Sequence, residues 1–337
     1  TVSICPSSVV MDVGQSQLFT SSVYGGTWPY TYQWYLNDTA IPGANSSTWL
    51  FTPSSPGSYT VYLNVTDAVA ITAKSNVVPV TVNVLPSVSV TPTSVAMDIY
   101  QSKTFNATAV GGTSPYWYEW YLNGILVQNG TSDSWTYTPT TVGSYTLYVN
   151  LTDSVGGTAQ SNLVGVTVNP ELSVSISPTS VVMDISQSVT FISTVSGGTL
   201  PYTYNWYLNG TQVASTPNWT FTPPSPGFYN LFLNVTDMGD PTVKSNVVNI
   251  TVNSDPSISI SPTSVTLDVE QSQLFTSTVS GGTPPYSYQW YENDTAIGGA
   301  TSSSLLFTPV LPGVYLLHLN VTDDAGVTVK SNVAVAT

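Results

Sequence analysis

The chain has 337 residues and only 7% of them are charged, with 4 Lys or Arg against 18 Asp or Glu and a formal charge of −14. Nucleic acids and anionic membranes are bound through clusters of Lys and Arg, and none exists here, so composition excludes both partners. A single cysteine, Cys5, excludes an internal disulfide, and no apolar run approaches the roughly 20 residues of a membrane span.

The elements recur. Tyr32-Gln33-Trp34-Tyr35-Leu36-Asn37 returns at Tyr118, Tyr204 and Tyr288, and the tryptophans Trp34, Trp120, Trp206 and Trp290 are spaced by 86, 86 and 84 residues. A fixed period of this length marks tandem copies of one folding unit. The reading is four domains, 1–85, 86–170, 171–255 and 256–337, the last with an incomplete final strand. The sequence opens in a strand and not in a signal peptide, as expected equally of a mature, processed or excised segment. In chain order, the first strand of each copy is Val2-Ser3-Ile4, Val88-Ser89-Val90, Val174-Ser175-Ile176 or Ile258-Ser259-Ile260, ended by Pro6, Pro92, Pro178 or Pro262. A second strand carries Phe19, Ser21 and Val23 at period two and runs into Gly25-Gly26 and Pro29. The third holds Tyr32, Trp34 and Leu36. A Gly- and Ser-rich stretch leads to Trp49 and Phe51. The next strand opens at Gly57, with Tyr59, Val61, Leu63 and Val65 inward and Thr60, Tyr62, Asn64 and Thr66 outward. A last strand, Val77 to Val82, enters the next copy through Pro86, and Pro170 and Pro256 serve later joints. About seven short alternating strands per copy, with no helical period, predict an all-β chain of tandem sandwiches. Proline joints without Gly/Ser linkers favour an extended rod.

Trp34 followed by Gly57-Ser58-Tyr59 resembles the immunoglobulin-type sandwich with its tyrosine corner, which recurs at Tyr145, Tyr229 and Tyr315. The endings Tyr-X-Val-X-Leu-Asn-Val-Thr-Asp also resemble polycystic-kidney-disease (PKD) repeats. The whole unit is similar to tandem Ig-like/PKD-like repeats of large archaeal cell-surface or extracellular filament proteins. The resemblance implies four such sandwiches in an extracellular setting. Where that family places paired cysteines, this chain has Ser21 and Val61, then Ala107 and Leu147.

Candidate chemistry is sparse. The only histidine, His318, takes the outward place of Tyr62, Tyr148 and Phe232 and reads as a surface substitution, so the chain is read as non-enzymatic. Cys5 reads as a tolerated small residue. Asp12, Asp98, Asp184 and Asp268 recur after the first strand, and Asp67, Asp153, Asp237 and Asp323 before the last. Stacking would bring Asp12 towards Asp153, but two carboxylates fall short of the six to eight oxygens calcium takes. Aspartates capping their own turns is the favoured reading, with calcium held open and no other cofactor expected.

Asn-X-Ser/Thr acceptors for N-linked glycans occur at Asn37, Asn45, Asn106, Asn129, Asn209, Asn218, Asn249 and Asn293, and once per copy at Asn64, Asn150, Asn234 and Asn320. The last four are expected to be modified, because alternation turns them outward. Tyr35, Tyr121, Tyr207 and Tyr291 also point out, beside Tyr62, Tyr148 and Phe232 on the neighbouring strand. These form either an exposed interaction face or cross-strand pairs that only stabilise the sheet. Weak dependence of folding on pH is expected from so few charges.

The function read from the sequence is structural: part of an extracellular filament, surface layer or adhesin stalk. Its partners are other copies, with strand completion at the C-terminal end, or other surface proteins. The alternatives are an adhesion module that binds carbohydrate or a partner, and the non-catalytic spacer of a larger secreted enzyme.

Overall fold

The structure, a computed structural model, describes residues 1–239 and 242–337. Among the described residues there are strands and no helix, and they form four pairs of sheets. By contacts the chain divides into two units, Thr1–Pro170 and Glu171–Thr337, each holding two sheet pairs.

The first repeat shows the plan. Its strands are β1 (Val2–Cys5), β2 (Val9–Asp12), β3 (Gln17–Val23), β4 (Thr31–Leu36), β5 (Thr39–Ala40), β6 (Thr48–Phe51), β7 (Gly57–Thr66), β8 (Thr72–Lys74) and β9 (Val78–Asn83). One sheet is β1-β3-β6; the other is β2-β9-β7-β4-β5, with β8 also on β7. The chain leaves the first sheet for the second at the cis peptide before Pro6, and cis peptides before Pro92, Pro178 and Pro262 stand at the same place. All pairings in the repeat are antiparallel except β2 with β9, where Val9 faces Val80 and Asp12 faces Asn83.

Nine strands, not about seven, make this repeat. Those the sequence hid, β2, β5 and β8, are two to four residues long, too short for a period to show. The turn from β4 to β5 has Asn37 and Asp38 at φ 48° and 61°, the left-handed pair of a type I′ hairpin. Asn tolerates that region, and its side chain adds a bond: Asn37 Oδ1 accepts from the Thr60 N–H at 2.8 Å.

Each sandwich has its own core. Trp34, Trp120, Trp206 and Trp290 are fully buried. Trp34 sits 6.2 Å from Phe19 and 6.0 Å from Trp49, ring centre to centre, and such a side chain contributes roughly 1.5–3 kcal/mol by burial. Its indole N–H donates to the Ser46 carbonyl at 2.9 Å, and Trp206 and Trp290 find Thr216 and Ser302 likewise. The Trp120 indole N–H has no such partner. At the cysteine places of the immunoglobulin sandwich, Val61, Ala107 and Leu147 are buried, and the Ser21 hydroxyl donates to the Ser47 carbonyl. All four corner tyrosines donate to a carbonyl four residues back: Tyr59 to Ser55, Tyr145 to Thr141, Tyr229 to Ser225 and Tyr315 to Leu311.

The fourth repeat is abbreviated. Its second strand is Ser264–Val265 and its last is Ala334–Ala336, and they share two register pairs where the second repeat has five.

Candidate functional site

The outward side of the larger sheet carries the aromatic pairs. Cross-strand register sets Tyr35 opposite Tyr62, Tyr121 opposite Tyr148, Tyr207 opposite Phe232 and Tyr291 opposite His318. All four pairs are stacked, with centroids 4.7 to 5.1 Å apart and planes within 11° of parallel. Of the two readings, an exposed face or cross-strand pairs, the stacking and burial favour the pairs. Tyr62 and His318 are buried, and Tyr35, Tyr121, Tyr148, Tyr207, Phe232 and Tyr291 are half-buried. Each ring covers its neighbour, and in the first and third repeats a lysine closes the stack: Lys74 Nζ lies 3.6 Å above the Tyr62 ring and Lys244 Nζ 3.8 Å above Phe232. His318 is therefore not a surface substitution. Its Nδ1 lies 3.7 Å from the Asp294 carboxylate, which Lys330 also meets at 3.2 Å. Burial holds the imidazole below its ordinary value, Lys330 pushes the same way and Asp294 opposes.

The same roofing changes the glycan acceptors. Asn64, Asn150, Asn234 and Asn320 do lie on outward positions, yet all are half-buried, and the Oδ1 atoms of Asn64, Asn234 and Asn320 are sealed from solvent. In register Asn64 is flanked by Gln33 on one side and Lys74 on the other. Asn37, Asn106, Asn129, Asn209, Asn218 and Asn293 are exposed. Ranking by strand alternation favoured the less accessible set.

The recurring acids build a second kind of site, at the joints inside each unit. Asp12 ends β2 and Asn83 ends β9 as register partners, so both side chains sit at one end of the first sandwich. The second repeat begins at once after Pro86. Its Gly111-Gly112 turn, at φ 74° and 69°, packs so closely that a Cβ on Gly112 would lie 2.8 Å from both Pro86 and the Asp153 carboxylate. Only glycine fits that approach. Asp153 accepts the N–H groups of Thr113 at 2.8 Å, Val155 at 3.1 Å and Gly157 at 2.7 Å, so it caps its own turn as the sequence suggested. Asp67 does the same with Thr27, Val69 and Ile71.

Asp12 has another role. Asn83 donates to the Thr113 hydroxyl at 2.7 Å, and that hydroxyl donates on to Asp12 Oδ1 at 3.2 Å. Asp12 Oδ2 is buried and meets no N–H or O–H donor; its neighbour is the Asp153 side chain, within hydrogen-bonding reach. Gln15 completes the joint: Oε1 accepts from the Asp12 N–H and Nε2 donates to the Val155 carbonyl. The second unit repeats the set. Asn253 donates to Thr283, Thr283 to Asp184 Oδ1 at 2.8 Å, and Gln187 to the Ala325 carbonyl at 2.6 Å, with Asp184 Oδ2 again without a donor beside Asp323.

Burial pushes Asp12 and Asp184 up to about 6, and the facing Asp153 and Asp323 add to it. Burial also acts to raise Asp153 and Asp323. The N–H donors of their own turns and the Asp12 and Asp184 side chains outweigh it, so both stay below the ordinary carboxylate value. Asp98 is also buried, whereas Asp268 is exposed. Gln15, Thr113 and Asn83 were not singled out from sequence, although each recurs with the same period as the acids, at Gln187, Thr283 and Asn253. Among the described residues no group of three or more His, Cys, Asp or Glu is placed to hold a metal.

The sandwiches are immunoglobulin-like. No protein-family model matches the chain. Over 131 residues it is 32% identical to the highly immunogenic outer capsid protein of Enterobacteria phage T4, a match spanning 36% of this chain and 35% of that protein. Among solved structures it is similar to the three N-terminal domains of the bacteriophage RB49 highly immunogenic outer capsid protein, at 17% identity and a TM-score of 0.42, covering 74% of this chain and 96% of that one. It is also similar to immunoglobulin domains 1–4 of Sidekick-1, at 14% identity and a TM-score of 0.33, covering 98% of this chain and 96% of the other. These comparisons lend no support to an archaeal source.

Proposed function

We propose that the chain is a structural segment of a surface-displayed or secreted assembly, a set of tandem sandwiches that carries tension between the parts it joins. The observation that carries this reading is the parallel pairing of β2 with β9. One strand lies near the start of the repeat and the other near its end, and they run side by side. Pulling the two ends apart therefore loads their hydrogen bonds together, in shear, rather than opening them one at a time. The second and third repeats build the same clamp over five register pairs each. Similarity to an outer capsid protein supports placement on an outer surface. A filament, surface layer or adhesin stalk, shielded by N-linked glycans, is the finer form of the proposal, with other copies of the chain or other surface proteins as partners.

Single-molecule pulling from the two termini tests it. The expected trace has separate unfolding events, each releasing one repeat. Extension of the whole chain in one smooth low-force ramp would sink the proposal. Carbohydrate binding through the aromatic face is the weaker reading, because the rings are stacked on each other and capped by lysine.

A further inference from the structure

We propose that Asp12 with Asp153, and Asp184 with Asp323, are proton-bridged carboxyl pairs that lock adjacent sandwiches together in acid and loosen when the bridging proton is lost. The inference stands independently of the surface role proposed above.

The direction of the hydrogen bonds carries it. In the first joint the Asn83 amide can only donate, so the Thr113 hydroxyl accepts from it and spends its own proton on Asp12 Oδ1. Both oxygens of Asp153 are acceptors for backbone N–H groups: Oδ2 from Thr113, Oδ1 from Val155 and Gly157. Asp12 is 0% exposed, and its Oδ2 has no donor anywhere around it. Two buried acceptors in reach of each other need a hydrogen between them, and the acid that lacks N–H donors is the one that keeps it. Asp12 is therefore the carboxylic acid and Asp153 the carboxylate. The second joint reaches the same result independently: Asn253 to Thr283 to Asp184 Oδ1, with Asp184 0% exposed and its Oδ2 without a donor.

A bound cation is the other way to relieve two facing carboxylates. Here three of the four oxygens in the first joint already serve protein donors. A Cβ on Gly157 would collide with Asp12 Oδ2 and lie 3.0 Å from Asp153 Oδ2, so the space is filled. Calcium needs more oxygens and more room. A proton needs neither.

The surroundings fix the sign. Asp153 is the titratable group that faces Asp12; Asp323 and Asp255 face Asp184, all of them acids. Both locking acids titrate in the fold at about 6 against an ordinary 3.8. The folded joint thus holds more protons than the unfolded chain between those values, and its stability falls as pH rises through that window. Below it, Asp153 and Asp323 act the other way. Their folded values lie under 3.8, so their contribution is lost as pH drops further. Each joint is tightest near pH 4 and loosest above pH 6. Adjacent sandwiches in one unit would then be stiffly coupled in an acidic setting and freer to bend at neutral pH.

The test uses the full chain carrying His318→Tyr throughout, so that the single histidine does not titrate in the same range. Asp12→Asn with Asp184→Asn supplies a neutral side chain that donates an N–H where the acid donates its proton. The parent is expected to lose roughly 5–10 °C in Tm between pH 4.5 and 7.5. The double variant is expected to be flat over that range and to melt above the parent at pH 7.5. A flat parent, or a double variant that keeps the parent's slope, overturns the proposal. Carboxyl 13C resonances of the parent give a reading that does not depend on the variant folding. Two carboxyls with midpoints near 6 support the pairs, and all midpoints below 5 overturn them. Millimolar calcium at pH 7.5 that raises the Tm of the parent but not of the double variant would assign the pairs to a cation and overturn the proton bridge.

Discussion

The Gln15 side-chain amide donates to the Val155 carbonyl at 2.9 Å, across 140 residues of sequence and from one sandwich to the next. The same glutamine accepts the Asp12 N–H at 2.8 Å, so one side chain ties the end of β2 to the turn of the following repeat. Gln187 does both with Asp184 and Ala325, whereas Gln271 is bonded to the Asp268 N–H of its own repeat.

Gln15→Ala should therefore cost the first unit about 1–2 kcal/mol, since two part-buried bonds go and the Asp12 N–H loses its acceptor. Gln271→Ala should cost about half as much. Calorimetry of the full chain checks the ranking, and equal shifts for the two variants would show that the bond across the joint contributes nothing.

The tyrosine corner gives a smaller effect than sequence alone would suggest. The Tyr59 hydroxyl does bond the Ser55 carbonyl at 2.8 Å, but the bond is exposed, so water can replace it. Tyr59→Phe should lower stability by about 0.5–1 kcal/mol. A denaturant midpoint that does not move would mean the corner is a consequence of the fold and not a support for it.

His318 gives the fourth repeat its own pH response, opposite in sign to that of the joints. Burial holds its folded value below the ordinary one, so the unfolded chain takes up the proton first as pH falls. Its neutral-form stability is complete above the ordinary value of 6.5 and is lost as pH drops through it. His318→Tyr, which copies Tyr62 and Tyr148, should remove that loss. Melts at pH 5 and pH 8 check it: the variant should gain several degrees over wild type at pH 5 and little at pH 8.

If the chain is glycosylated, accessibility should order its sites. Peptide mass spectrometry should find sugar first on exposed Asn37, Asn106, Asn129, Asn209, Asn218 and Asn293, and least on half-buried Asn64, Asn234 and Asn320. The reverse order would show that acceptors are modified before the strands close.

The fold was legible because its signals are local. A buried tryptophan once per repeat, a Gly-X-Tyr corner and period-two alternation each follow from a few neighbouring residues, and the repeat multiplied them fourfold. What escaped was set by the third dimension. Alternation says which way Asn64 and His318 point, but not that Asn64 is half-buried or that Tyr291 stacks on His318. The joint was legible only in part: stacking placed Asp12 towards Asp153 and turn-capping suited Asp153, but only the docking of two sandwiches shows that Asp12 is buried with one oxygen lacking a donor. The expectation of weak pH dependence was drawn from the number of charges, and the proposed proton bridges put it to the test. Few charges is not the same as few buried ones.

Gly157 carries a consequence for how such a chain can be edited. Its N–H bonds the capping aspartate, as do those of Ile71 and Val327 at the same place in the first and fourth repeats. Yet a Cβ on Gly157 would strike the Asp12 carboxylate. Copying the first or fourth repeat into the second slot would thrust a branched side chain into that joint, while the second unit already accommodates one. Units that look like duplicates are thus keyed to their positions. A lineage that lengthened or shuffled this array would have to recut the key each time, and an engineer who permutes the repeats will meet the mismatch at the seams before it shows anywhere inside a sandwich.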